Sequence, residues 1–268
     1  MRLQAARWLL LGLAALWLPG PAAAAPFLPD FASATFVPGA PVDNPYFPLL
    51  DPRTRVFEGG DERFELTVLG PGPEILGVRT TTQRDRAFED GLLVEETFDF
   101  FAQDAAGNVW YFGEDVTNYV YDDMGNLVGT NDESTWRAGV NDALPGFIMP
   151  ADLTIGFNYY QEFAPDDDAI DDATTHAVGL DVPLDIGDFT DVLRVFETNA
   201  LEPDAREFKY YAPGQGLILV EEGLDPDLEN PDLVLSLVEV VPAPRSVGLL
   251  GVGIVALWLQ RRIPTSRA

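Results

Sequence analysis

The chain has no cysteine, one histidine and one lysine among its 268 residues. The absence of thiols excludes disulfides, zinc–thiolate and iron–sulfur sites and a cysteine nucleophile, so the fold must rest on its apolar core, which roughly 200 residues can supply without staples. The single histidine, His176, excludes multi-histidine metal sites and leaves one imidazole base. It lies in the alternating segment ATTHAVGLDV, where a strand histidine facing water or a neighbour is expected. There is no G-x-S-x-G turn, Walker loop, dinucleotide glycine fingerprint or H-E-x-x-H motif. Positive charge is scarce as well. Of the 16 basic residues, Arg2, Arg7, Arg245, Arg261, Arg262 and Arg267 lie at the ends, leaving ten against 44 acids and a formal charge of −34 in the body. Such a surface repels phosphate and anionic headgroups, which excludes nucleic acid as a partner, and attracts divalent cations and cationic partners.

The front, MRLQAARWLLLGLAALWLPGPAAAA, has two arginines, an apolar run from Trp8 to Leu18, a Pro-Gly-Pro break and a small-residue stretch. This is the layout of a secretory signal peptide over residues 1–24. Ala22 and Ala24 meet the small-x-small rule of signal peptidase, which places cleavage before Ala25. The tail, VPAPRSVGLLGVGIVALWLQRRIPTSRA, carries an apolar run from Val247 to Leu259 followed by Arg261 and Arg262. At ~1.5 Å per residue that run covers about two thirds of a bilayer's hydrocarbon core, with the arginines held on the cytoplasmic side.

Pro242-Ala243-Pro244, the short apolar helix and the arginine pair together resemble the PEP-CTERM sorting signal of Gram-negative bacteria that make extracellular polysaccharide. The resemblance covers about the last thirty residues, and Ala243 occupies the position the family gives to glutamate. It implies processing near the proline motif by an exosortase-like membrane enzyme, a transient inner-membrane anchor formed by the tail helix of residues 242–268, and delivery to the outer surface or matrix.

Residues 25–50 are rich in proline and aromatic residues and predict an extended lead-in that lays its rings onto the following domain. Residues 51–241 alternate apolar and polar side chains in segments such as VEETFDFFAQD, in which Thr97, Asp99 and Phe101 share one side and Phe98, Phe100 and Ala102 the other. Glu89-Asp90-Gly91, Asp104-Ala105-Ala106-Gly107-Asn108 and Asp122-Asp123-Met124-Gly125-Asn126 are turn signals. The expected fold is all-β: an antiparallel meander forming a curved sheet, sandwich or barrel, with helices only in the two terminal targeting segments. The stretch from Ser134 to Phe163 breaks the alternation and predicts a long connection across one end of the sheet, with strand patterns resuming at its end in FNYYQEF, residues 157–163. Two phrases, NPYFPLLDPRTRVFEG and KYYAPGQGLILVEE, resemble recurrent phrases of secreted β-rich bacterial proteins of uncharacterised function. YDDMGNL resembles one copy of the Tyr-Asp repeat of large secreted shell proteins.

Among the acids, Asp166, Asp167, Asp168, Asp171 and Asp172 form the densest group, and a loop of clustered carboxylates is a candidate weak calcium site, although the EF-hand order is missing. The doublets Glu95-Glu96 and Glu221-Glu222 are expected on opposite faces of their strands. Three functions fit these features: an exported acidic structural or interaction protein, with extracellular polysaccharide as a candidate partner; a carrier of an apolar ligand inside a curved sheet; or a carboxylate-based polysaccharide hydrolase. An internal cavity distinguishes the second, and two facing acids in an aromatic groove the third.

Overall fold

The computed structural model describes residues 25–242. The two terminal segments expected to be helical targeting signals, with Ala22, Ala24, Ala243, Pro244, Arg261 and Arg262, lie outside the described residues. Ala25 is exposed at the first described position, and Pro242 is exposed at the end of the last strand, opposite Arg53.

Strands β1 (Arg53–Gly59), β2 (Glu62–Ile75), β3 (Val78–Glu89), β4 (Leu92–Gln103) and β5 (Val109–Tyr121) form one antiparallel meander. Short strands follow: β6 (Leu127–Asn131), β7 (Trp136–Arg137), β8 (Leu144–Met149), β9 (Asn158–Tyr160) and β10 (Glu162–Phe163). A second meander comprises β11 (Asp171–Leu184), β12 (Gly187–Asn199), β13 (Arg206–Ala212), β14 (Gly216–Glu222) and β15 (Leu233–Pro242). Pairing of β1 with β15 joins the two meanders.

The remaining gap is closed by the stretch expected to be a connection. β8 pairs with β5, and β9 and β10, separated only by Gln161, pair with β11 on one side and with β8 on the other. The sheet thereby becomes a nearly closed barrel. At this seam Gly146 of β8 lies against the carbonyl oxygens of Tyr160 and Gln161, so closely that a Cβ would overlap both. Closure removes the unpaired edges that a long open sheet would expose.

The tight turns follow the residues that signalled them. In both longer turns the first aspartate's Oδ1 accepts two backbone N–H groups, from Ala106 and Asn108 onto Asp104 and from Met124 and Asn126 onto Asp122. Gly107 and Gly125 take positive φ in each. One boundary differs from expectation. Gly70-Pro71-Gly72-Pro73 lies inside β2, and the chain reverses later, at Leu76-Gly77. The prolines are tolerated because β1 pairs with β2 only as far as Thr67, so beyond that point one side of β2 is an edge that needs no N–H donor.

The lead-in covers one end of the barrel. The Gln103 side-chain oxygen accepts the backbone N–H groups of Asp43 and Asn44, and the Gly214 N–H donates to the Pro45 carbonyl. Phe31 and Phe36 pack edge-on against Trp110 and Phe112, while Phe47 packs against Phe101 at 5.0 Å. Phe47, Pro48 and Leu49 thus form a floor under the barrel interior. The two recurrent phrases named above meet here: Gly216 packs on Pro48 and Arg55.

Candidate functional site

Side chains two apart on a strand share a face. On β3 the inward positions are Gln83, Asp85 and Ala87; on β4 they are Glu95, Asp99 and Phe101; on β13 they are Glu207, Lys209 and Tyr211. They line a cavity of about 840 Å³ that extends from the Phe47–Leu49 floor to exposed Glu62, Glu89 and Glu202 at the opposite end.

The register puts like charges face to face. Asp99 stands opposite Glu114, Glu197 opposite Glu207, and Glu207 opposite Glu222. Directly opposed like charges destabilise a sheet, so this arrangement works against the fold. Several arginines that would neutralise it are engaged elsewhere: Arg63 and Arg86 both pair with Glu65, and Arg84 with Glu96. The chain's only lysine is in the cavity instead. Lys209 Nζ lies 2.7 Å from Glu197 Oε2 and 3.0 Å from Glu207 Oε1.

One ammonium cannot satisfy this wall, and the remaining acids respond by holding protons. Burial pushes Asp99 up to about 6 and Glu197 and Glu222 up to about 7. Burial also raises Asp85, Glu114 and Glu162 well above the usual carboxylate range, with neighbouring carboxylates adding to each shift. The geometry agrees. The Tyr111 hydroxyl lies 2.6 Å from Asp99 Oδ1 and 2.8 Å from Glu114 Oε2, and with one hydrogen it can donate to only one of them. A protonated Glu114 donating to the Tyr111 oxygen, with Tyr111 donating to Asp99, satisfies both contacts. Glu162 and Asp171 both line the cavity, and the neighbouring Asp171 carboxyl adds to the upward shift of Glu162.

Some polar groups in the wall have no partner among the described residues. Gln83 is 6% exposed and Tyr211 3% exposed; both line the cavity, and neither the Gln83 amide nor the Tyr211 hydroxyl is hydrogen-bonded. Asp85 Oδ1 is buried without a partner. Buried polar groups in folded proteins are nearly always satisfied, so the orphaned Asp85 oxygen, beside Gln83 and Tyr211 side chains that open onto the same cavity without a hydrogen bond, indicates room for a ligand or ordered water.

The residues singled out from sequence are distributed differently. The five clustered aspartates do not converge. Asp166, Asp167 and Asp168 sit on the turn around the 3₁₀ segment Pro165–Asp167, where Asp167 accepts from Asn141 at 2.8 Å. Asp171 turns into the cavity beside Glu162, and Asp172 accepts from Asn158 and Thr198. Among the described residues no three carboxylates are grouped so as to hold a metal ion. Both glutamate doublets split across the sheet: Glu95 and Glu222 line the cavity, whereas Glu96 pairs with Arg84 and Glu221 accepts from the Tyr210 hydroxyl at 2.6 Å. His176 stacks on Phe208 at 4.7 Å, and burial and Arg194 lower its pKa.

No family model matches the chain, and no curated protein matches it. Among solved structures it is similar to a candidate exported protein with a YmcC-like fold from Bacteroides fragilis NCTC 9343, at 11% identity and TM-score 0.37, over 77% of this chain and 99% of that one. It is also similar to a candidate lipoprotein from Parabacteroides distasonis ATCC 8503, at 11% identity and TM-score 0.34, over 73% and 97%. Likenesses at this level bear on neither the fold nor the function of this chain.

Proposed function

We propose that the protein is an exported binding protein whose barrel interior holds a small polar ligand. The single observation behind this reading is the cavity of about 840 Å³ whose wall carries the orphaned Asp85 oxygen together with Gln83 and Tyr211, which line it without a side-chain hydrogen bond. Small-molecule sites occupy roughly 300–1,000 Å³ and use a few convergent polar groups to orient the ligand. The carrier of an apolar ligand is revised because carboxylates from β3, β4 and β11–β14 are set among apolar side chains in this lining, which suits a ligand with both polar and apolar parts. An exclusively structural role leaves unexplained why like charges are opposed in the interior.

A thermal-shift panel of neutral sugars, amines, organic acids and fatty acids on the purified protein tests the reading. At least one class is expected to raise the melting temperature, and Tyr211→Phe to weaken that shift without changing the ligand-free melt. Calcium, at matched ionic strength, is expected to do no more than magnesium, since Asp166–Asp168 and Asp171–Asp172 are divided between turn and cavity. If no class shifts the melt, the binding reading fails.

Export and processing complete the proposal, supported by the signal-peptide layout and by the PEP-CTERM-like tail. Intact mass of protein recovered from the host's surface is expected to lack residues 1–24 and most of the chain after Pro244. An uncut C-terminus in the membrane fraction would contradict the processing step.

A further inference from the structure

We propose that the cavity binds an organic cation with two or more ammonium groups. This deepens the binding-protein reading and rests on it. The acids of the lining are arranged in two banks, Asp85, Glu95 and Asp99 on β3 and β4 and Glu197, Glu207 and Glu222 on β12–β14, with Glu162 and Asp171 beside the seam. In the ring of strands β4 and β13 lie on opposite sides, and the field of Lys209 reaches Asp85 and Asp99 across the space between them. A single metal ion cannot serve carboxylates spread in this way. Ammonium groups joined by a flexible alkyl chain can reach both banks.

The unpartnered groups fit the same chemistry. An ammonium offers three donors and no acceptor, and Gln83 Oε1, the Tyr211 oxygen and the carboxylates are all acceptors. Aromatic faces complete the lining: Phe101 and Tyr111 stack at 4.8 Å, and Phe47 and Tyr211 lie 6.3 Å apart. Cations are attracted to such faces once water is displaced.

The other cations of the lining do not oppose this. Arg63 and Arg206 are at the rim, bonded to Glu65 and to the Leu224 carbonyl. Arg55 lies at the floor against Pro48 and Gly216, and no cavity carboxylate is among the charges that shift it. The ligand's ammonium groups are therefore placed between the two banks, away from Arg55.

Titration calorimetry on the purified full-length protein at pH 8 and low salt tests the proposal. The probes are spermidine and 1,4-diaminobutane; the controls are butylamine, 1,4-butanediol, succinate and magnesium chloride at matched ionic strength. Spermidine is expected to bind most tightly, butylamine on the order of tenfold more weakly, and the diol and diacid not at all. Asp85→Asn is expected to weaken spermidine on the order of tenfold while raising the melting temperature of the ligand-free protein. Misfolding cannot produce that pair of opposite effects. Spermidine binding no tighter than magnesium, or binding unaffected by Asp85→Asn, would overturn the amine assignment. If a neutral sugar or acid from the panel binds instead, and Tyr211→Phe weakens it, the amine is wrong and the binding reading stands; if no compound binds, both fail.

Discussion

Gly146→Ala is expected to lower stability by about 3 kcal/mol, the largest effect of any single methyl group added at the seam. Here β8 must approach the β9–β10 segment closely enough to hydrogen-bond, and a Cβ would be driven into the carbonyl oxygens of Tyr160 and Gln161. Backbone on a paired strand cannot swing aside as a flexible side chain would. Relief requires the seam to open, and opening strands the partners of β11 and β8 together. Gly129→Ala on exposed β6, where nothing lies within 4 Å, is the control and is expected to stay within about 0.5 kcal/mol. Urea denaturation of both variants measures the difference. Equal midpoints would mean that the barrel does not depend on this contact.

The second large effect concerns pH. Asp99 and Glu197 have folded-state pKa values raised by burial to about 6 and about 7, above those of an unfolded chain. For acids shifted in this direction the folded state binds protons more tightly. Their stabilising contribution is complete below about pH 4 and is lost as pH rises through about 6 to 7. At ~1.4 kcal/mol per pKa unit the two together account for several kcal/mol. Glu222 acts in the same direction but, being partly exposed, contributes less. Below about pH 4 the trend reverses, because Asp122 and Asp225 are held below the usual range by hydrogen bonds in their turns and lose those bonds on protonation. The ligand-free protein is therefore expected to be most stable near pH 4 and to melt several degrees lower at pH 8. The Asp99→Asn, Glu197→Gln double variant is expected to match the parent near pH 4 and exceed it at pH 8. A parent whose melting temperature rises from pH 5 to pH 8 would contradict the protonated interior.

Much of this architecture is legible in the residues. The period-two stripe of VEETFDFFAQD places Asp99 and Phe101 together, and they do share the inner wall. The Asp104 and Asp122 turns are spelled by the same five-residue pattern and close by the same aspartate hydrogen bonds. The seam is legible only in part: FNYYQEF carries a strand pattern and contains β9 and β10, but these are three and two residues long, and their pairing with β11 and β8 is fixed only by the neighbours. The cavity is hidden for a related reason. Glu197, Glu207 and Glu222 are far apart in sequence and become a row only once the register of β12, β13 and β14 is fixed. Charge density along the chain points instead to Asp166–Asp172, where contiguity divides the side chains between a turn and two strand faces. The one compositional clue is Lys209: a single lysine, placed between Glu207 and Tyr211 in an alternating strand, marks the inner face.

At the centre of this account is an interior whose carboxyls keep protons until an ammonium ligand replaces them. Calorimetry of spermidine binding at pH 6.5, repeated in buffers of different ionisation enthalpy, counts the protons exchanged. The account predicts a net release of about one proton or more per spermidine bound, diminishing toward pH 8 as the acids ionise unaided. Binding at pH 6.5 with no proton released, or with protons taken up, would contradict it.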